Sequence, residues 1–450
     1  MNRLISFLLI LFPASLYAQE SNPLLIRGEL YSNHRLLLKH NNDWAWNENC
    51  LDLSFQKRAG KINFSSNIWL RHLNADPLHT SAQLYSKDQI NPWKLELREA
   101  YAEVRGFVFD GLDLKIGRQF ISWGTADMIN PTCNLNPYDL EDIMDFGRRR
   151  GIEAMNLTWY FNHAFSLQAV YVPFFRPANL PLGIFADFLN PPPDLPAGME
   201  ITEYSDKLLM PRQNLAEGAS LGLRFKGFAL NTDFSLSYVY GRDGLPQPLR
   251  SSLTHTASGV EIYSELFFPR HHIVGADMAG SIGSVGVWAE AAVFIPEEEI
   301  IHTSRLINFN PFFPVMRRDS TVLKKEPYIK MAVGADYTFR NGIYLNLQYL
   351  HGFIHERGKG NMNDYILFAM ERSFLGNHLN LRPIAGGLAI SSWDDPASNF
   401  ALFYTPEITW RGIDNLELGL GAFFFEGRGD NIFAGLRDFN MVSVSAKINF

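Results

Sequence analysis

The chain has no long hydrophobic run beyond its first residues, few cysteines and no excess of basic charge. After the N-terminal segment, no stretch reaches the roughly 18 continuous apolar residues that a membrane-spanning helix needs. Only two of the 450 residues are cysteines, and a chain of this length does not need disulfides for stability. The net charge is −7, so we expect no nucleic-acid partner.

The first residues have the pattern of a secretory signal peptide. A positive start and a short apolar run lead to Ala18, a small residue suited to cleavage. We therefore divide the chain into a signal peptide, 1–18, and a single exported domain, 19–450. In an oxidising compartment, Cys50 and Cys133 form either one disulfide or two free thiols, and the sequence leaves both alternatives open.

Aromatic and alternating residues are what the exported part has in abundance. Aromatic residues make up 14% of the chain, a share that a barrel with an aromatic belt at each membrane interface requires. Apolar residues recur at every second position, for example Ile343, Leu345 and Leu347. This period predicts strands with one face toward lipid and the other toward a wet lumen.

Long and short connections alternate along the chain between these strands. The pattern predicts about 18 antiparallel strands, with both termini on the side of the short turns. We read 261–281 as one bent strand broken by Pro269, because two strands would disturb the alternation. The expected fold is all-β: a transmembrane antiparallel up-and-down β-barrel with long extracellular loops and short periplasmic turns. The long connections are approximately 40–49, 73–92, 123–148, 174–216, 243–260, 296–326, 355–362, 392–400 and 427–437.

The chain ends on an alternating strand whose last residue is aromatic. Val442, Val444, Ala446 and Ile448 share one face, which we expect against lipid. The terminal Phe450 resembles the signal that bacterial outer-membrane proteins present to their assembly machinery. That machinery is therefore an expected partner.

A barrel of this size is too wide to be filled by wall side chains alone. The first strand begins near Leu24, so we expect no N-terminal plug and look to the long loops for a constriction. The loop 123–148 is the leading candidate. Pro137 in a first turn, early acidic residues and Gly147 at the end predict a short helix within it.

This part of the sequence resembles a known family. Gly117-Arg118-Gln119, Trp123-Gly124 and Asn130-Pro131 follow an early strand in the order found in porin-like bacterial outer-membrane β-barrels. The resemblance covers roughly 95–150. It implies the barrel architecture and a channel-like role, although the transport role of many members is unsettled.

Charged residues concentrate in the same region, where lipid would not tolerate them. The alternation breaks near Arg98 and Glu99, which predicts a bulge that turns the charged residues of this strand inward on both sides of the break, from Glu96 to Arg105. Arg118 is out of phase and its direction stays open. Two alternatives remain: a transverse field that selects charged or polar solutes, or a salt-bridge network that fixes the loop. The pore-lining or constriction candidates are Glu96, Arg98, Glu99, Glu103, Arg105, Asp113, Lys115, Asp139, Glu141, Asp142, Asp145, Arg148 and Arg150.

The loop 174–216 is apolar and rich in proline, unlike the charged loop. Exposed apolar surface of this size marks a binding site or a packed element, so it is a second candidate for a plug or a docking site. Its hydrophobic candidates are Phe174, Phe175, Phe185 and Phe188.

These features favour an outer-membrane, porin-like channel for passive or selective passage of small solutes. The alternative is a transporter of hydrophobic molecules such as lipids or hydrocarbons, and a remote one is a barrel enzyme or adhesin. We expect no enzyme, no cofactor and no metal, because the histidines do not form a His-Glu-x-x-His pattern. The expected partners are outer-membrane lipid, a small solute and the assembly machinery. The class is often trimeric, but no patch in the sequence demands a homo-oligomer.

Overall fold

The computed structural model describes residues 22–39, 43–73, 92–186, 200–257, 259–307 and 315–450. The expected signal peptide, 1–18, lies outside these residues. The described chain is almost entirely β-structure, with one 3-10 turn and one short helix. None of its helices is long or apolar enough to cross a membrane.

The strands follow one another along the whole described chain, in the order β1 to β24. The strands are β1 Leu25–Leu37, β2 Trp44–Ala59, β3 Ile62–His72, β4 Trp93–Val104, β5 Leu112–Gln119, β6 Ile152–Tyr160, β7 Phe165–Val172, β8 Ile201–Leu209, β9 Ser220–Ala229, β10 Thr232–Arg242, β11 Gln247–His255, β12 Val260–Phe267, β13 Arg270–Ile282, β14 Val285–Pro296, β15 Ile300–Ile307, β16 Met316–Leu323, β17 Tyr328–Thr338, β18 Ile343–His351, β19 Asp364–Phe374, β20 Leu379–Ile390, β21 Phe400–Tyr404, β22 Glu407–Ile413, β23 Leu416–Gly427 and β24 Met441–Asn449. The helical elements are the 3-10 turn Gly183–Phe185 and α1, Ile432–Gly435.

The wall of the molecule is one closed antiparallel sheet. It contains 19 strands, but β21 and β22 share one position between β20 and β23, which leaves 18 wall positions. Pro406 separates the two, since proline cannot donate to the ladder. The first and last strands pair from Glu29–Asn449 to Leu37–Met441, which closes the sheet. The predicted barrel of 18 strands is confirmed.

The two faces of the wall differ as the period-two pattern predicts. Leu347 on β18 is 57% exposed on the outside, whereas the next residue, Gln348, is 2% exposed and lies in the lumen. The connections at one end are short turns. Where the turn from β9 to β10 needs left-handed backbone, Leu230 and Asn231 have φ of 53° and 58°. The longer connections lie at the other end.

Three of the long connections, which we predicted to be loops, form a second sheet at the extracellular end. Its order is β16-β15-β11-β12-β8, with parallel pairing of β11 with β15 and of β12 with β8. The interpretation of 261–281 as one strand is wrong. Pro269 separates β12, which belongs to this extracellular sheet, from β13, which belongs to the wall. The alternation of the wall survives because β12 is not part of it.

Candidate functional site

The segment between β5 and β6, residues 120–151, folds into the barrel; we call it the inserted loop. Ile121, Trp123, Leu140 and Ile143 are each less than 5% exposed. Asn136 fixes its two ends, because its Oδ1 accepts from the Ile121 backbone N–H at 2.8 Å and its Nδ2 donates to the carbonyl of Arg150 at 2.7 Å. The inserted loop therefore fills part of the lumen.

The predicted helix in this loop is not formed. Residues 138–139 make isolated β-bridges instead, Tyr138 with Arg149 and Asp139 with Asn179. Residues 141–147 then form bends and turns, and three carboxylates of the segment bind different arginines of the wall: Asp139 binds Arg98, Glu141 binds Arg71 and Asp142 binds Arg35. Those contacts outweigh the local helix signals of Pro137 and the acidic first turn.

The strongest contact between loop and wall centres on Arg71 of β3. Its side chain is fully buried and binds Glu48 at 2.6 Å, Glu96 at 2.9 Å and Glu141 of the inserted loop at 2.7 Å. Lys94 on β4 also pairs with Glu141. A guanidinium has five donors in a rigid fork, so it can hold several carboxylates at once.

Two further carboxylates of the loop are paired in the same way. The carboxylate of Asp142 accepts hydrogen bonds from both terminal nitrogens of Arg35 on β1, at 2.5 and 2.7 Å. Asp139 lies 2.8 Å from Arg98 and 3.2 Å from Arg148. Burial alone would raise the pKa of both carboxyls, but the neighbouring guanidinium charges outweigh it and lower the pKa of each.

The predicted bulge in β4 is present. Asn67 of β3 faces Glu99 and Ile68 faces Leu97, so Arg98 is the extra residue between them. The bulge keeps Leu95 and Leu97 on the outside, while Glu96 binds Arg71 of β3 in the lumen and Arg98 binds Asp139 of the inserted loop. We call Arg35, Glu48, Arg71, Glu96 and Arg98 together the charged side of the lumen.

The other constriction candidates divide between this site and the short-turn end. Glu99 accepts from the N–H of Phe120, Arg150 donates to the Pro177 carbonyl at 2.6 Å, and Asp145 is half-exposed, 3.9 Å from Arg148. Nearer the turns, Glu103 and Arg105 lie 3.9 Å apart, Asp113 accepts from the N–H of Gly106, and the amine of Lys115 lies over the ring of Tyr101 at 3.6 Å. No contact with the inserted loop is recorded for these last four among the described residues.

Sequence reasoning missed several residues that hold the loop. The alternation itself offered a signal for three of them. The charged side chains of Arg35, Glu48 and Arg71 each occupy a lumen-facing position of their strand. On the far wall, Glu290 of β14 accepts from the Thr125 N–H at 2.8 Å, and Asn346 of β18 donates to Asp127 at 2.9 Å. The lone acid within the apolar run of β14 was the clue there.

The opposite part of the lumen, along β18 to β24, is aromatic and contains a cavity of about 560 Å³. Its lining includes Phe403 and Phe425 on the wall, Phe353 from a loop and Phe433 of α1. The rings of Phe403 and Phe433 stack with centroids 4.3 Å apart. We call these four rings together with Phe423 the aromatic side of the lumen.

The remaining sequence candidates lie outside the lumen or in packed positions. Arg118 points outward and binds Glu153 at 2.7 Å. Arg176 binds the same carboxylate at 2.7 Å, so the charge of Glu153 on the outer wall, near the extracellular rim, is paired with two arginines. Cys50 and Cys133 are both buried free thiols. Phe450 exchanges backbone hydrogen bonds of 2.8 and 2.9 Å with Gly28, on which its ring lies.

The apolar loop after β7 is only partly described. Phe175 is buried against Phe268 with ring centroids 4.9 Å apart, and Phe185 is buried against Phe439 at 5.5 Å. Phe174 is 49% exposed, and Phe188 lies outside the described residues. Two of the four candidate rings thus serve packing.

One sequence pattern bears on catalysis. Residues 218–222 read Gly-Ala-Ser-Leu-Gly, the spacing of a hydrolase nucleophile, but Ser220 opens strand β9 rather than a strand-to-helix turn. The Oγ of Ser251 lies 2.9 Å from Nε2 of His302 on the extracellular sheet, and no carboxylate is recorded on that ring among the described residues. Among all the residues that the structure describes, no cluster of three His, Cys, Asp or Glu side chains is placed to hold a metal ion.

Comparison with known proteins gives both a family and structural likenesses. No curated protein matches the chain. Among solved structures, OccK11 (OpdR) of Pseudomonas aeruginosa has 10% identity, covers 94% of this chain and 95% of its own, and has a TM-score of 0.49. OmpF of Salmonella typhi, in complex with daunomycin, has 9% identity, coverage of 95% and 97%, and a TM-score of 0.42. The outer membrane channel DcaP of Acinetobacter baumannii has 10% identity, coverage of 95% and 97%, and a TM-score of 0.39.

These likenesses carry no argument about function, and the barrel rests on its own strand pairing. The family match is more extensive. The profile described as "Protein of unknown function (DUF1302)" matches residues 53–354, which is two thirds of the chain and includes the whole inserted loop. The chain belongs to the DUF1302 family.

Proposed function

We propose that this protein is a selective outer-membrane channel for small solutes, narrowed by the inserted loop. One observation carries the proposal: a loop segment crosses the lumen and is held by the charged side through Arg35, Arg71 and Arg98. Buried ion pairs are geometrically demanding, so they fix a segment in one position rather than leaving it free. A fixed constriction of alternating charge favours polar solutes over apolar ones along that side.

The experiment is conductance in planar bilayers. Deleting 139–145 removes Asp139, Glu141 and Asp142, and we expect larger single-channel steps and weaker discrimination among anions, cations and sugars. The matched control deletes 394–398, an exposed acidic connection between β20 and β21. Equal conductance of the intact chain and the 139–145 deletion would remove the inserted loop from the proposal.

A second candidate function, passage of hydrophobic molecules, is favoured by the aromatic side of the lumen. Its lining is unlike the water-filled interior of a general porin, which is polar. The two functions differ in a measurable way, because a general channel gives stable ion-conducting steps and a hydrophobic transporter stays closed to ions.

The partners belong to the same proposal. Outer-membrane lipid contacts the apolar outer wall, and the assembly machinery recognises the strand that ends in Phe450. A homo-oligomer fits the class. Sedimentation of the detergent-solubilised chain measures that state directly.

A further inference from the structure

The cavity on the aromatic side has the size and lining of a ligand site. Its volume of about 560 Å³ falls within the 300–1,000 Å³ typical of small-molecule pockets. It lies between the wall and the inserted loop, which contributes Met128, Met144 and Phe146. The cavity is therefore part of the lumen that the loop leaves unfilled.

The wall itself makes room for it. Ser443 and Ser445 of β24 face Gly421 and Gly419 of β23 across the ladder, so four adjacent inward positions carry small side chains or none. Large rings surround this gap: Phe403, Phe423 and Phe425 line the same cavity. The small residues open a space that the rings bound on one part of its surface, while polar side chains such as Asn346, Gln348 and Glu371 line another part.

A buried polar group borders the space. Arg35 lies directly opposite Ser443 across the barrel seam and its guanidinium stands over the ring of Phe423, 5.4 Å from the centroid. Its side chain is only 6% exposed. Its two terminal nitrogens donate hydrogen bonds to Asp142, but Nε has no hydrogen-bond partner among the described residues. An unpaired buried donor is costly, and a small shift of the Arg35 side chain would present it to an oxygen acceptor on a ligand.

The charges of the lining disfavour an anion. Arg35 is neutralised by Asp142, and Arg382 by Glu407. Asp127 and Glu371 also line the cavity, and neither forms a salt bridge with any residue that the structure describes. The lining is therefore acidic on balance, and a carboxylate ligand would meet repulsion.

We propose that this cavity binds an uncharged, elongated and largely apolar molecule that carries a hydroxyl or carbonyl oxygen, with the oxygen at Arg35. The apolar part lies among Phe403, Phe423 and Phe433. Binding of this molecule is measured without reference to the proposed channel. Only its passage through the barrel rests on the proposed function.

The test uses the full chain in phosphatidylcholine nanodiscs and a photoactivatable sixteen-carbon alcohol bearing a diazirine. After irradiation, peptide mass spectrometry should place adducts on inward residues such as Phe423 and Met128. Ser443→Trp fills the gap and should reduce this labelling about tenfold, equivalent to ~1.4 kcal/mol of binding free energy. Val444→Trp puts the same ring on the lipid face of the same strand and should leave the labelling unchanged.

Two further comparisons define the ligand class. The matching sixteen-carbon carboxylate probe should label the cavity less than the alcohol, and Arg35→Lys, which removes Nε, should abolish the preference for the alcohol over a sixteen-carbon alkane probe. Adducts confined to outward residues such as Leu420 in the unmodified chain would overturn the site, whatever the variants do. Labelling by the carboxylate equal to or above that by the alcohol would overturn the uncharged class.

The same nanodisc sample separates this inference from the proposed function. Heat-modifiable gel migration confirms that each variant is folded, and Ser445→Phe supplies a second filling variant if Ser443→Trp is not. A chain that conducts ions but shows no cavity adducts loses the ligand site and keeps the channel. A chain with cavity adducts and no conductance loses the channel and keeps the site.

Discussion

The charged side and the aromatic side of the lumen face each other across one barrel but work by different physics. On the charged side, Arg35, Arg71 and Arg98 each bind a named carboxylate of the inserted loop at 2.5 to 2.8 Å. On the aromatic side, rings pack without directional contacts and leave a cavity of about 560 Å³. Directional ion pairs position the inserted loop on the charged side, whereas the rings of the aromatic side leave part of the lumen open.

This difference assigns a role to each side. Burying a charge is costly unless it is paired and hydrogen-bonded, so a cluster such as that of Arg71 tolerates few other arrangements. Aromatic packing depends mainly on area and adapts to changes in shape. The charged side should therefore determine where the loop lies, and the aromatic side what can occupy the remaining lumen.

The largest effect is expected at the centre of the charged side. Arg71→Ala leaves the buried carboxylate of Glu48 without an ion-pair partner among the described residues, while Glu96 and Glu141 keep Lys94. We expect a loss of about 3–5 kcal/mol in the free energy of unfolding. Urea unfolding in detergent micelles, followed by gel migration, measures it. Arg71→Lys should retain part of the stability, and an unfolding midpoint equal to wild type in Arg71→Ala would contradict the role of this cluster.

A somewhat smaller effect is expected on the aromatic side. Phe433 of α1 packs against Phe353, Tyr365 and Phe403, and truncation of a buried Phe costs about 3–5 kcal/mol. Because one side of Phe433 borders the cavity, we expect Phe433→Ala near the lower limit. The same unfolding assay applies, with Phe424→Ala on the lipid face as the control. A larger loss for Phe424→Ala would reverse the assignment.

Acid should loosen the contacts of Asp139 and Asp142 with the charged side. The pKa values of Asp139 and Asp142 lie below the ordinary value, so their pairing is complete above about pH 4, the range of a free aspartate, and is lost only as pH falls through the lowered values. Asp139 and Asp142 should contribute no change in conductance between neutral pH and about 4, and their loss of charge should raise conductance below it. Asp142→Asn should already conduct more at neutral pH and respond less to acid. A rise centred at pH 6 would point to other groups.

The smallest effect is expected far from both sides. Arg317 and Asp319 form an ion pair of 3.0 Å on the extracellular sheet, with side chains 60% and 45% exposed. Exposed pairs of this kind contribute little to stability, because solvent screens the two charges. Arg317→Ala should therefore unfold at nearly the wild-type urea concentration. A loss comparable to that of Arg71→Ala would mean that the extracellular sheet supports the barrel.

The wall was predictable from sequence because lipid and water impose a period of two on every strand. The bulge at Arg98 was predictable for the same reason, since a break in phase is local. The extracellular sheet was not, because β8 pairs with β12 and β11 with β15 in parallel, across separate loops. No short-range pattern records such a partnership.

The site was predictable only in part. The acidic residues of the inserted loop stood out as charges in a membrane protein, but their partners are remote in sequence: Arg35 and Asp142 are 107 residues apart. The predicted helix failed for the same reason, since contacts with β1, β3 and β4 outweigh local preference. The aromatic side is assembled from rings on separate strands and loops, which only the closed barrel brings together.

The bulge in β4 also determines which changes in length the chain can absorb. Because Arg98 is the one residue that β4 carries beyond β3 over the same span, deleting it would leave Leu97 opposite Ile68 and Glu99 opposite Asn67, with their faces unchanged. Deleting one residue from a regular strand such as β18 would instead move the residues on one side of the deletion to the opposite face of the wall. Removing several residues from the connection 394–398 disturbs no such phase. For this protein, the position of a deletion matters more than its size. Wall strands have a two-residue period that a deletion can disturb, and the extracellular connections have none.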